Sequence, residues 1–168
     1  KFNEIKYDYE HLIIDNNSTD GTVAKIRKLS ENDKNLKIIL NARNYGHIRS
    51  PFYALLQTNS DATILMSSDF QDPIELIPKY IEEWKKGKKI VLGEKTSSEE
   101  NKFKYSVRTL FYNFLNKISE FDLPKNTTGS GIFDKTIIEK LKKINDPYPY
   151  FRGLITELGD EISTIQFN

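Results

Sequence analysis

Four short apolar runs, each stopped by turn-forming residues, set the tightest limit on how this chain can fold. His11-Leu12-Ile13-Ile14 is stopped by DNNSTDGT, and Leu36-Lys37-Ile38-Ile39-Leu40 by NARNYGH. Ala62-Thr63-Ile64-Leu65-Met66 is stopped by SSDFQDP, and Lys89-Ile90-Val91-Leu92 by Gly93. Runs of this length bounded by Gly, Asn, Asp and Pro read as strands. Helical periodicity fills the intervals. Thr22 to Asn32 places Val23, Ile26 and Leu29 on one face, and Arg49 to Thr58 reads as a helix with Pro51 in its first turn. Ile74, Ile77, Tyr80, Ile81 and Trp84 recur at helical spacing. Strands alternating with helices predict βαβ units, an α/β class and a mostly parallel sheet flanked by helices.

Beyond Gly93 the pattern changes. EKTSSEEN is a polar loop, and Phe103, Val107, Leu110, Phe111, Phe114 and Ile118 mark a long amphipathic helix. DLPKNTTGSG reads as a loop and Ile132-Phe133 as a short strand. Asp134 is placed to cap a helix carrying Ile137, Ile138, Leu141 and Ile144. NDPYPY breaks that helix, and Phe151 to Leu158 forms a last one before Gly159. No repeat or linker divides the 168 residues, so a single domain over 1–168 is expected.

Composition removes several functions. Lys and Arg number 25 against 24 Asp and Glu, a net charge of +1, which gives no pull toward nucleic acid. Cys is absent, so disulfide scaffolds and Cys-ligated zinc are excluded. Two histidines, His11 and His47, are too few to build a metal site alone. No apolar run approaches the roughly 18 residues of a membrane span, and KFNEIKYDYE is too charged for a signal peptide.

In parallel α/β sheets, ligands bind beyond the carboxyl ends of the strands. Asp15, Asn44 and Asp69 each fall just past such an end. Asp15 can accept from a ligand N–H or bond the amides of its own loop. Arg43, Asn44 and His47 can face phosphate or ribose, or simply form a turn with Gly46 at positive φ. Asp20, Gly21 and Thr22 suffice to turn the chain and start a helix. Asp72, Pro73 and Glu75 form a helix start, with Asp at N-cap, Pro at N1 and Glu at N3. Asp69 and Gln71 are outside that requirement. A carboxylate and an amide oxygen suit Mg²⁺ or Mn²⁺, especially when a substrate diphosphate completes the shell. Gly129-Ser130-Gly131 begins like a dinucleotide fingerprint, but Asp134 stands at the third glycine and no strong strand precedes it, so a Rossmann site is rejected.

Taken together, YEHLIIDNNSTDGT, LNARNYGH, ILMSSDFQDPIELIPKYIEEWKKG, VLGEK, TGSGIFDKTIIEKL and YFRGLITELG resemble, in order, the landmarks of family 2 glycosyltransferases of the GT-A fold. The closest resemblance is to the dolichyl- and polyprenyl-phosphate sugar transferases. The resemblance implies an inverting, metal-assisted hexosyl transfer from a nucleotide-diphosphate donor, most simply a UDP-sugar. The implied acceptor is a polyprenyl phosphate or a cell-surface glycan, in envelope polysaccharide synthesis at the cytoplasmic face of the membrane. Carried over, Asp15 contacts the base, Asn44 lies among the donor contacts, Asp69 and Gln71 lie at the Mg²⁺ or Mn²⁺ and diphosphate, and Lys95 stands where the family often has an arginine. The family's first metal aspartate is Ser67 here, and the acidic position proposed as base in some members falls at Gly129. Asp72 is the remaining candidate for the catalytic base. A degenerate donor-binding or scaffold domain is the alternative. The family's first strand would precede Lys1 and an acceptor-side segment would follow Gln166, with membrane helices in many relatives. The chain is therefore expected to be incomplete at both ends, with any membrane association supplied by those segments.

Overall fold

The computed structural model describes residues 7–69, 71–96, 127–144 and 146–167. The backbone falls into two compact units, residues 1–57 and 58–168. In the first, β1 (His11–Asp15) runs parallel to β2 (Leu36–Leu40), with His11 opposite Leu36 and Asp15 opposite Leu40. Helix α1 (Thr22–Asn32) connects them, as a parallel pair requires. Asp20 Oδ1 accepts from Thr22 N at 3.1 Å and Thr22 Oγ1 at 2.6 Å, and Gly21 turns at φ 84°. The expected start of this helix is borne out. Leu29, placed on its apolar face by spacing, is 60% exposed.

Helix α2 (Gly46–Leu56) begins three residues earlier than periodicity indicates. Pro51 therefore lies inside the helix rather than in its first turn, where its missing N–H removes one ladder bond. Phe52, Ala54 and Leu55 are its buried apolar face.

The second unit is a four-stranded sheet in the order β3-β5-β4-β6: β3 (Ala62–Leu65), β4 (Ile90–Lys95), β5 (Thr127–Asp134) and β6 (Ile162–Phe167). Strand β5 is antiparallel to both β3 and β4, whereas β4 and β6 are parallel. Two of the four ladders among the described residues are thus antiparallel, and the expectation of a mostly parallel sheet is corrected. Helix α3 (Leu76–Lys85) follows β3 and precedes β4, and a strand arriving from much later in the chain fills the place between them. Alternation of local patterns carries no trace of such an insertion.

The TTGSG segment, expected as a loop, is strand. Gly131 is required there: a Cβ would meet the Val91 carbonyl oxygen at 2.3 Å. Strand β6 was not foreseen. The core joins Leu76 and Tyr80 of α3 to Val91, Ile132 and Phe167 of the sheet. Complete burial of an aliphatic side chain of this size contributes roughly 1.5–3 kcal/mol.

Helix α4 (Lys135–Lys142) starts as expected, with Asp134 Oδ1 accepting from Thr136 N at 2.9 Å. The other oxygen of Asp134 accepts from Trp84 Nε1 at 2.9 Å, tying α3 to this cap. Burial pushes the Asp134 carboxyl up, but the Thr136 and Trp84 bonds outweigh it and hold the group below its ordinary value. Helix α5 (Phe151–Glu157) matches the last expected helix to within a residue. The long helix expected over 103–118 lies outside the described residues. Among the described residues, no helix is long and apolar enough to cross a membrane.

Candidate functional site

The candidate residues lie on loops of both units, each held in its own way. In the first unit, Asp15 ends β1 and is 5% exposed. Its Oδ2 accepts from Ser18 N at 2.9 Å, and bonds from the Ser18 side chain and backbone lower its pKa despite some desolvation. Asp15 thus bonds its own loop, one of the two roles its position allows.

Asn16 is the hub of this region. Its Oδ1 accepts from Asn41 Nδ2 at 3.1 Å and Tyr45 N at 2.9 Å. Its Nδ2 donates to Asn44 Oδ1 at 2.8 Å and to the Gly46 carbonyl at 3.2 Å. Asn41 Nδ2 also donates to Ser50 Oγ at 3.0 Å, and Gly46 N to Asn44 Oδ1 at 2.8 Å. The exits of β1 and β2 are stitched together by amide side chains. Asn44 is brought beside the β1 exit with its oxygen already engaged. Its Nδ2 remains as the donor. The Arg43 guanidinium lies over the Tyr45 ring, 4.7 Å from its centroid. His47 is an exposed residue at the start of α2. Sequence reasoning missed Asn16 and Asn41. The signal was the recurrence of Asn at the exits of β1 and β2, where short amides bond local backbone.

In the second unit, Asp69 and Gln71 are exposed, and Gln71 N donates to Asp69 Oδ1 at 3.2 Å. The second Asp69 oxygen and the Gln71 amide make no bond among the described residues. Ser67 is exposed on the same loop, and Lys95 ends β4 exposed to solvent.

Asp72 corrects the expected helix start. Helix α3 begins at Leu76, with Glu75 at its N-cap and no side-chain cap bond. Pro73 and Ile74 instead accept in i+3 turns, from Leu76 N at 3.0 Å and Ile77 N at 3.2 Å. Ile74, assigned to the apolar face, is 50% exposed. The Asp72 side chain turns inward, 4% exposed, and its Oδ2 accepts from Ser130 Oγ. A partner 58 residues away outcompetes the local cap. Asp72 Oδ1 and the Tyr80 hydroxyl are buried without partners among the described residues. Burial, reinforced by the nearby Asp72 charge, pushes the Tyr80 hydroxyl up to about 12.

No cluster of three carboxylate or imidazole side chains able to hold a metal occurs among the described residues. Asp69 and Gln71 fit the smaller requirement of a cation shared with a substrate diphosphate, which takes one or two protein oxygens.

The sequence model described as Glycosyl transferase family 2 matches residues 2–154. An uncharacterized glycosyltransferase, YkcC, of Bacillus subtilis is 28% identical over 165 residues, covering 98% of this chain and 51% of the relative. A bactoprenol glucosyl transferase of Shigella phage SfX is 28% identical over 169 residues, covering 99% of this chain and 55% of the relative. The chain therefore spans about half the length of these curated relatives. Among solved structures, the mannosyltransferase PcManGT from Pyrobaculum calidifontis, in complex with GDP-Man and Mn²⁺, matches with a TM-score of 0.56 at 16% identity, covering 94% of this chain and 45% of that one. That likeness shows the fold, which is GT-A as expected.

Proposed function

The chain belongs to glycosyl transferase family 2, and from that premise we propose that it is part of a single domain transferring a hexose from a nucleotide-diphosphate donor to a polyprenyl phosphate. The observation that carries this reading is the family match across 2–154, which includes every candidate loop, joined to relatives named as bactoprenol glucosyl transferases. The proposed reaction is inverting, with a UDP-sugar as donor, at the cytoplasmic face of the membrane. A surface glycan is the other acceptor class that fits.

In this reading Asp15 accepts a hydrogen bond from the nucleotide base. Its place at the carboxyl end of β1 supports that role. Asn44 donates toward the donor substrate through Nδ2. Asp69 and Gln71 hold Mg²⁺ or Mn²⁺ together with the diphosphate, and Lys95 adds a point charge beside it. The cation, when bound, neutralises charge developing on the departing nucleotide diphosphate. Lys95 acts in the same sense through its own charge. Inversion requires the acceptor oxygen to attack the face of the sugar opposite the leaving group.

Calorimetric titration of the chain with UDP-, GDP- and CDP-sugars, with and without Mn²⁺, tests the reading. Mn²⁺-dependent binding of one donor is expected, with Asp69→Ala lowering transfer at least about a hundredfold, the scale of losing a principal electrostatic contact to the transition state. Failure to bind any donor would sink the enzyme. Binding without turnover across an acceptor panel would favour a donor-binding scaffold, the reading to which Ser67 and Gly129 point.

A further inference from the structure

Strand β3 stops at Leu65, opposite Gly131, while β5 continues back to Thr127. Among the described residues, the loop leaving β3 has no ladder against Thr127–Ser130. Its one long-range side-chain bond among the described residues is Asp72 Oδ2 to Ser130 Oγ. Among the described residues, Asp69 and Gln71 bond only each other.

The anchor lies in a built environment. Strand alternation puts Ser130 on the same face as Ile132, which packs with Leu76, Tyr80 and Val91. Thr128 shares that face; its Oγ1 accepts from Ser130 N at 3.4 Å and lies 3.4 Å from where a Gly93 Cβ would be. The Tyr80 hydroxyl is 2.6 Å from the same point. Asp72, Ser130, Thr128 and Tyr80 thus place polar groups along one face of the sheet. Helix capping does not account for the carboxylate, because the helix starts four residues later. Proton transfer at the surface is poorly served by a group 4% exposed with one oxygen engaged.

We propose that Asp72 is a positioning residue: bonded to Ser130, it fixes the loop so that Asp69 and Gln71 present their oxygens to a nucleotide diphosphate and its divalent cation. The ligand half rests on the glycosyltransferase reading; the tie between loop and strand does not.

Hydrogen–deuterium exchange and UDP–Mn²⁺ calorimetry on the full chain, with Asp72→Ala, Asp72→Asn, Ser130→Ala and the double Ala variant, test it. Amides of residues 71–77 exchange faster in Asp72→Ala and Ser130→Ala. UDP–Mn²⁺ affinity falls about tenfold in each, the scale of one hydrogen bond to a charged group. The loss falls on donor KM more than on kcat, and the double variant is no worse than the more severe single one. Asp72→Asn, which keeps an acceptor for Ser130, recovers part of the loss. Unchanged exchange in both Ala variants overturns the tie. Asp72→Asn that binds UDP–Mn²⁺ like the unaltered chain yet loses transfer a hundredfold overturns the positioning role in favour of a base. An unaltered chain that binds no nucleotide refutes the ligand half together with its parent reading, while exchange still decides the tie. Ser130→Ala, a small change, keeps the test readable should Asp72→Ala fail to fold.

Discussion

At the exits of β1 and β2, amide side chains bond one another; past the exit of β3, a carboxylate goes inward, and among the described residues one of its oxygens and the Tyr80 hydroxyl of α3 are buried unmatched. Asn16 alone makes four hydrogen bonds to Asn41, Asn44, Tyr45 and Gly46. That network is explained by folding without reference to a ligand. The second region is not, since an unmatched buried donor or acceptor costs about 1–3 kcal/mol. Candidate residues can therefore be ranked by what folding leaves unexplained. By that measure Asp72 and Tyr80 are more informative than Asn44, although Asn44 is the more obvious choice beside a strand end.

The contrast can be tested by removing polar groups from each side. Asn16→Ala should cost the most, about 2 kcal/mol, because it removes four hydrogen bonds at once, two of them part-buried. Urea denaturation reads this directly, and a change below about 0.5 kcal/mol would mean that water replaces the network without loss. Tyr80→Phe should have the opposite sign. Deleting an unmatched hydroxyl leaves the apolar ring in place and should raise stability by about 1 kcal/mol. A clear destabilisation in the same denaturation experiment would show that the hydroxyl has a partner in solution and would erase the contrast.

The smallest effect concerns acid. The folded pKa of Asp15 is depressed, so its contribution is present above the unfolded value of about 3.9 and is lost as pH falls through the folded value. Asp15→Asn should flatten that part of the pH–stability curve below about pH 4. Identical acid limbs in the two proteins would show that the Ser18 bonds contribute no pH-dependent stability.

Local signals carried much of this fold. The bounds of α1 and β2 and the Asp134 cap were legible because each depends on neighbours within a few residues. The misreadings share a cause. DPIE matches a helix-start pattern, but Ser130 claims the carboxylate from 58 positions away. TTGSG has loop composition, yet its two ends pair with β4, Thr127 with Glu94 and Gly131 with Leu92, across a break in register. In ISTIQF, Ser163 interrupts the inward alternation completed by Ile165 and Phe167, and only pairing with β4 makes it a strand. At the site, the residue types already set Asp69 and Gln71 apart from Asp72; the structure leaves those two exposed and buries Asp72 against Ser130 where a helix cap was expected.

Gly93 and Tyr80 lie on different elements, yet they share one volume. The tyrosine oxygen lies 2.6 Å from the point where any side chain at 93 would begin. The two positions are consequently coupled in variation: a larger residue at 93 requires the oxygen at 80 to go and the Phe167 ring, 3.0 Å from the same point, to shift. Relatives or designed variants that retain both, or change both, have a route open to them that single replacements at 93 do not.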